Sequence, residues 1–107
     1  MSTNTTDCLT RDAMMRAFSV AEHVVAGLPF TPRQVTIADR YGDAFEIRLY
    51  CHNKPDDVRA FAAHFGVEAT ANPLRDGSPD TYTEAAHTVN DVAVSAWSIT
   101  RPDSASS

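Results

Sequence analysis

The strongest constraint on the fold is a strand pattern between residues 45 and 52, where apolar and polar side chains alternate without a break. The apolar set is Phe45, Ile47, Leu49 and Cys51, and the polar set is Glu46, Arg48, Tyr50 and His52. Successive side chains of a β-strand point to opposite faces, so this strand has one apolar and one polar face. The chain therefore needs a sheet with one covered face, and the cover has to come from elsewhere in the sequence.

The preceding residues supply a partner strand, because Val35 and Ile37 alternate with polar or small residues. If Ile37 pairs with Phe45, the two apolar sets share a face and residues 40–42 form a three-residue loop. Gly42 then takes the left-handed position of the accompanying bulge. The sequence predicts a β-hairpin with this register.

The first helix is predicted from an N-cap at Thr10 to the Gly27 and Pro29 region, where glycine and proline end it. Apolar residues recur along it at intervals of three and four, the period of a helix with one buried side. That predicted buried stripe is Met14, Phe18, Ala21, Val25 and Leu28.

Residues 50–57 read Tyr-Cys-His-Asn-Lys-Pro-Asp-Asp and raise the question of a reaction centre. Strand alternation points Cys51 inward and His52 outward, so the two side chains cannot share a metal or form a thiolate–imidazole pair. Pro55 suits the first position of a helix, and the two following carboxylates favour its positive end. We therefore interpret the segment as a strand end and a helix start, with Gly66 as the C-cap. The predicted buried stripe of this second helix is Val58, Phe61, Ala62 and Phe65.

A second hairpin is predicted at the C-terminal end, with Asn90-Asp91 as a two-residue turn between Val89 and Val92. We expect its valine-rich face to be buried and residues 67–72 to form a short additional strand. The predicted inner set is Ala85, His87, Val89, Val92, Val94 and Ala96, and the predicted outer set is Tyr82, Glu84, Ser95, Trp97 and Ile99.

These elements predict an α+β fold in the order α-β-β-α-β-β-β. Both helices have a single apolar stripe, so we expect a two-layer sandwich in which they pack on one face of an antiparallel sheet. At 107 residues the chain is long enough for one such domain. We expect the domain at 10–100, with flexible polar tails at 1–9 and 101–107. The predicted core is Met14, Phe18, Ala21, Val25, Phe45, Ile47, Leu49, Val58, Phe61 and Phe65.

Two stretches, VRAFAAHFGVEAT and YTEAAHTVNDVAVSAWSIT, preceded by YGDAFEIRLYCH, resemble small actinobacterial and actinophage proteins of no assigned function. The resemblance covers about residues 11 to 100 and depends on hydrophobic pattern and turn positions. It implies at most a cytoplasmic accessory protein, including one carried by a mobile element, and it transfers no site residue.

Composition and motifs argue against several functions. The net charge of -5 disfavours duplex binding, which needs a basic face. No nucleophile elbow, phosphate loop or metal-ligand spacing occurs in the sequence, so we predict no catalytic residue, cofactor or metal. The histidines and the pair Asp39 and Asp43 are explained by surface and turn positions. The sequence also lacks a secretory signal and a membrane span, so we expect a cytoplasmic protein.

The least ordinary feature is a group of large side chains on the outward face of the two hairpins. We call this side of the sheet the open face; its candidate residues are Arg48, Tyr50, Tyr82, Trp97 and Ile99. Such a surface can bury against protein or stack unpaired bases. The acidic balance favours a protein partner, most simply a second copy in a homodimer, with single-stranded nucleic acid as the alternative. An enzyme or a metal-binding protein is the least favoured interpretation.

Overall fold

A computed structural model describes residues 2–39 and 44–101, with side chains from residue 11 onward. Across these residues the order of elements is α-β-β-α-β-β-β, as predicted. The two helices and five strands are α1 (Ser2–Gly27), β1 (Gln34–Asp39), β2 (Phe45–Tyr50), α2 (Pro55–Phe65), β3 (Thr70–Pro73), β4 (Thr81–Val89) and β5 (Val92–Thr100). Within the described residues, neither helix combines the length and apolar character that crossing a bilayer requires.

The five strands form one sheet in the order β1-β2-β5-β4-β3. Three neighbouring pairs are antiparallel, but β2 and β5 run parallel. The fold is therefore α+β with a mixed sheet, and the prediction of a purely antiparallel sheet is wrong. A parallel neighbour requires a long crossover, which α2, β3 and β4 supply between β2 and β5.

The first hairpin has a different register from the predicted one. Ile37 pairs with Ile47, and Asp39 pairs with Phe45. The observed pairing is shifted by two residues from the predicted one. The two apolar sets therefore still share a face, and the connection between the strands is longer than the predicted three residues. The predicted loop, with Gly42 and Asp43, lies outside the described residues.

Helix α1 also departs from the prediction at its start and on its surface. It begins at Ser2 rather than Thr10, because neither glycine nor proline interrupts the sequence before Gly27. The side chains buried on the sheet are Ala17, Val20, Ala21 and Val24. Met14 and Phe18 are 39% and 53% exposed, so placing them in the core was wrong. Small residues let this side of the helix approach the sheet closely, which turns the larger side chains outward.

The segment around Cys51 is a strand end followed by a helix start, as predicted. Cys51 N donates to Trp97 O at 2.9 Å, and Lys54 N donates to Ser98 Oγ at 3.0 Å. Pro55 opens α2, and Gly66 ends it with a left-handed φ of 70°. The turn is thus fixed to β5 by two hydrogen bonds.

The second hairpin matches its prediction. Val89 pairs with Val92, and Asn90 and Asp91 have φ of 49° and 66°, as a tight two-residue turn requires. The valine-rich face joins the core. Buried side chains of both helices and of β2, β4 and β5 form one cluster, with Phe61, Ile47, Leu49 and Val94 among the most enclosed. Val25 and Phe65 pack against it half-buried.

Candidate interaction surface

The open face brings the predicted residues together through strand register. Tyr50 pairs with Trp97 across the parallel β2–β5 ladder, and Tyr82 pairs with Ile99 across the β4–β5 ladder. Arg48 lies on the same face two residues before Tyr50. All five side chains are half-buried, because they cover one another on the surface of the sheet.

Three of them form an aromatic shelf, which we define as Tyr50, Trp97 and Tyr82. The Tyr50 and Trp97 ring centroids are 4.6 Å apart with planes tilted by 39°. Tyr82 stacks on the other side of Trp97, with centroids 6.1 Å apart and planes at 25°. Trp97 is therefore the central residue of the shelf, held between two aromatic rings.

A polar network borders the shelf along Tyr82. Arg48 Nη2 donates to the Tyr82 hydroxyl at 2.9 Å, and that hydroxyl donates to Glu84 Oε2 at 3.1 Å. Arg48 and Glu84 also form an ion pair at 3.8 Å. The arginine charge is thus compensated within the network.

The Tyr82 phenol remains protonated in this network. Burial raises its pKa above the ordinary value of 10.0, the hydrogen bond from Arg48 opposes the rise, and the charge of Glu84 adds to it. A protonated phenol keeps the O–H that donates to Glu84. The hydroxyl therefore both accepts from Arg48 and donates to Glu84.

At its other end the shelf meets the turn before α2. The Tyr50 hydroxyl and His52 Nδ1 are hydrogen-bonded at 2.7 Å. A depression of about 360 Å³ lies here, and Ile99 lines it together with Tyr50, His52, Asn53 and Arg101. Ile99 therefore belongs to the end of the surface rather than to the ring stack.

Two residues of this surface, Glu84 and His52, were not among the predicted candidates. Both had been placed on the outward face by alternation. Glu84 is the cross-strand neighbour of Trp97, and His52 follows Tyr50 by two residues. Same-face position was the signal that could have identified them.

The catalytic and metal alternatives gain no support from the placement of Cys51 and the histidines. Cys51 is 2% exposed, and burial, with a smaller contribution from Asp57, raises its thiol pKa from 9.0 to about 11. His87 stacks on Phe65 at 5.0 Å, which is a packing role. Among the described residues, no three potential ligands of the His, Cys, Asp or Glu type lie together as a metal site.

Comparisons of the chain with family models, with curated proteins and with solved structures found no match.

Proposed function

We propose that this protein is a small, non-catalytic interaction module whose open face binds another protein. The observation that carries the proposal is the position of Trp97, half-buried between Tyr50 and Tyr82 on the face opposite the core. The proposal takes both helices to lie on the core face, as in the predicted two-layer sandwich. Support comes from the buried inner side chains of β2 and β5, which share one cluster with those of the helices.

A rigid aromatic side chain is an effective anchor for a partner. Tryptophan is enriched among residues that dominate binding energy, and its few rotatable bonds limit the entropy lost on binding. Here Tyr50 and Tyr82 already restrict the indole ring, so less ordering remains for the complex to supply. The bordering Arg48 and Glu84 provide a polar rim of both charge signs.

Protein is favoured over single-stranded nucleic acid because of the state of Arg48. A base-stacking platform needs cations that are available to phosphates, since counterion release supplies much of the affinity. Arg48 is instead paired with Glu84 and hydrogen-bonded to Tyr82. The net charge of -5 acts in the same direction.

The test is an affinity capture from an extract of the source organism, with quantitative mass spectrometry of wild type and two variants. Trp97→Ala removes the anchor. Leu74→Ala removes a 39% exposed apolar side chain after β3 and serves as the matched control. We expect at least one protein that wild type and Leu74→Ala retain and Trp97→Ala loses. Identical retention by all three, or a nuclease-sensitive set, would overturn the proposal.

A further inference from the structure

A second apolar surface lies on the other side of the sheet, between α1 and the edge strand β1. It is a groove of about 700 Å³ whose apolar walls include Met15, Phe18 and Val25 from α1 and Val35 and Ile37 from β1. Met15 is 59% exposed, Phe18 53% and Val35 40%. Side chains that face a covered core would be less exposed than this. The single chain therefore leaves part of its apolar surface open to solvent.

The groove exists because the apolar arc of α1 is wider than its contact with the sheet. Successive side chains of a helix point about 100° apart around its axis. The apolar arc therefore extends past the buried side chains of Ala17 and Ala21 to Met14, Phe18 and Val25. Helix α1 contacts β1, β2 and β5, while α2 contacts β4 and β5. The inner face of β1 is therefore only partly covered, next to the exposed part of the arc.

The two edges of the sheet differ in their protection against further pairing. Strand β3 has four residues and ends in Pro73, and short edges with proline resist addition of another strand. Strand β1 has six residues, and from Gln34 to Ala38 it contains neither charge nor proline. The unprotected edge is thus the one that borders the apolar groove.

We propose that the β1 edge and this groove together bind a second copy of the chain in a twofold dimer. The strand is self-complementary in one antiparallel register, centred on Thr36. Val35 then lies opposite Ile37 of the second copy, and Thr36 lies opposite its own equivalent, a favourable cross-strand pair. In this register each residue lies opposite a residue that points to the same face of the sheet, as antiparallel pairing requires.

Charge complementarity selects the same register. Arg33, the residue directly before β1, comes near Asp39 of the second copy at both ends of the paired strands, and both residues are exposed. Arg33 N donates to Tyr50 O at 2.8 Å, which ties Arg33 to β2. Asp39 also has an interaction within its own chain, but a carboxylate has acceptor sites for several partners.

The spacing of the helices fits the groove side chains. With strands about 4.8 Å apart, the two β2 strands lie roughly 14 Å apart across the paired β1 strands. Packed helices approach to about 8–10 Å, so two α1 helices centred near β2 leave a gap between them. Met15 and Phe18 of each copy are large enough to fill that gap, which accounts for their exposure in a single chain.

In such a dimer the exposed apolar side chains of Met15, Phe18 and Val35 from both copies lie along the same seam. Pairing would remove them from solvent, which favours association. The dimer has one continuous sheet, with both open faces on the same side of it.

Disulfide cross-linking tests the register directly, in a Cys8→Ser background where the remaining Cys51 is buried. Thr36→Cys places two thiols opposite each other at a Cα separation of about 4.5–5.5 Å, which suits a disulfide. Gln34→Cys, on the same face of the same strand, is the matched control, since its equivalents lie roughly 13 Å apart. We expect mild oxidation to cross-link Thr36→Cys and not Gln34→Cys. No cross-link in either, or equal cross-linking in both, would overturn the proposal.

Exchanging the charges of Arg33 and Asp39 gives an independent test. The dissociation constant of the dimer is measured by sedimentation over a hundredfold range of protein concentration. Arg33→Asp and Asp39→Arg should each weaken the wild-type dimer about tenfold, and the double exchange should restore it. Arg75→Asp, an equal charge change on an exposed loop residue, should leave it intact. A monomeric wild type, or a double exchange as weak as the single variants, contradicts this interface. Trp97→Ala should not alter dimerisation, so loss of the dimer in that variant alone would place self-association on the open face instead.

Discussion

The guanidinium carbon of Arg48 lies 5.5 Å from the centroid of the Trp97 ring. The same side chain donates to the Tyr82 hydroxyl and pairs with Glu84. One cation is therefore shared between an indole face, a phenol and a carboxylate, an arrangement that combines cation–π and charge-assisted contacts. It links the polar border of the open face to the residue that we propose as its anchor.

Removing the Tyr82 hydroxyl should measurably weaken this arrangement. Tyr82→Phe deletes one bond from Arg48 and one to Glu84, and we expect the free energy of unfolding to fall by about 0.5–1.5 kcal/mol. Tyr50→Phe is the matched control, because its hydroxyl bonds only to the exposed His52 among the contacts described here, and should cost less than about 0.5 kcal/mol. Chemical denaturation measures both. A larger loss for Tyr50→Phe would show that the Tyr82 network is not the stabilising one.

The core placement of α2 can be tested at Phe61, which is fully buried. Phe61→Ala should cost about 3–5 kcal/mol, because the cavity adds to the lost transfer free energy. Phe18→Ala makes the same change at a 53% exposed site of α1. In dilute solution, where the proposed dimer dissociates, it should cost less than about 1 kcal/mol. Equal losses in the two variants would contradict the assignment of these helix faces.

Cys51 should behave as an unreactive thiol with a defined effect on pH stability. Its pKa is about 11 in the folded chain against 9.0 ordinarily, so at neutral pH it stays protonated and should label slowly in the native state. Between pH 9 and 11 the unfolded chain loses this proton first, and stability therefore falls as pH rises.

The measurement is the free energy of unfolding against pH for Cys8→Ser and for Cys8→Ser/Cys51→Ala. Between pH 9 and 11 the free energy of unfolding of Cys8→Ser should fall by up to about 2–3 kcal/mol more than that of Cys8→Ser/Cys51→Ala. Parallel pH profiles, or rapid labelling of native Cys51 at neutral pH, would show that the thiol is accessible.

Local signals in the sequence were sufficient for the type and order of the elements and for one hairpin, but not for the start of α1. The Asn90-Asp91 turn and the Pro55–Gly66 helix depend on residues close in sequence, and both were predicted correctly. The β1–β2 register was predicted incorrectly. A shift of two residues leaves every side chain on the same face, so the two registers differ only in the length of the connection. On α1 the apolar arc exceeds the buried area, so periodicity alone could not tell which part contacts the sheet.

The sequence was sufficient to predict which residues form the candidate surface, but not how their side chains contact one another. Alternation placed Arg48, Tyr50, Tyr82 and Trp97 on one face. Their contacts require β5 to lie between β2 and β4, and the parallel β2–β5 pairing is a long-range feature that leaves no local signal. The Arg48–Glu84 pair and the central position of Trp97 follow from that pairing.

The central claim, that Trp97 anchors a protein partner on the open face, is tested most directly by the dissociation constant of the captured complex. It should be measured for wild type and Trp97→Ala at low and at moderate salt. Loss of an interface tryptophan commonly costs about 2 kcal/mol or more, so we predict at least a roughly thirtyfold weaker complex, by a similar factor at both salt concentrations. An unchanged dissociation constant in a folded Trp97→Ala variant would contradict the claim. Global unfolding of that variant would contradict it equally, since it would place Trp97 in the core.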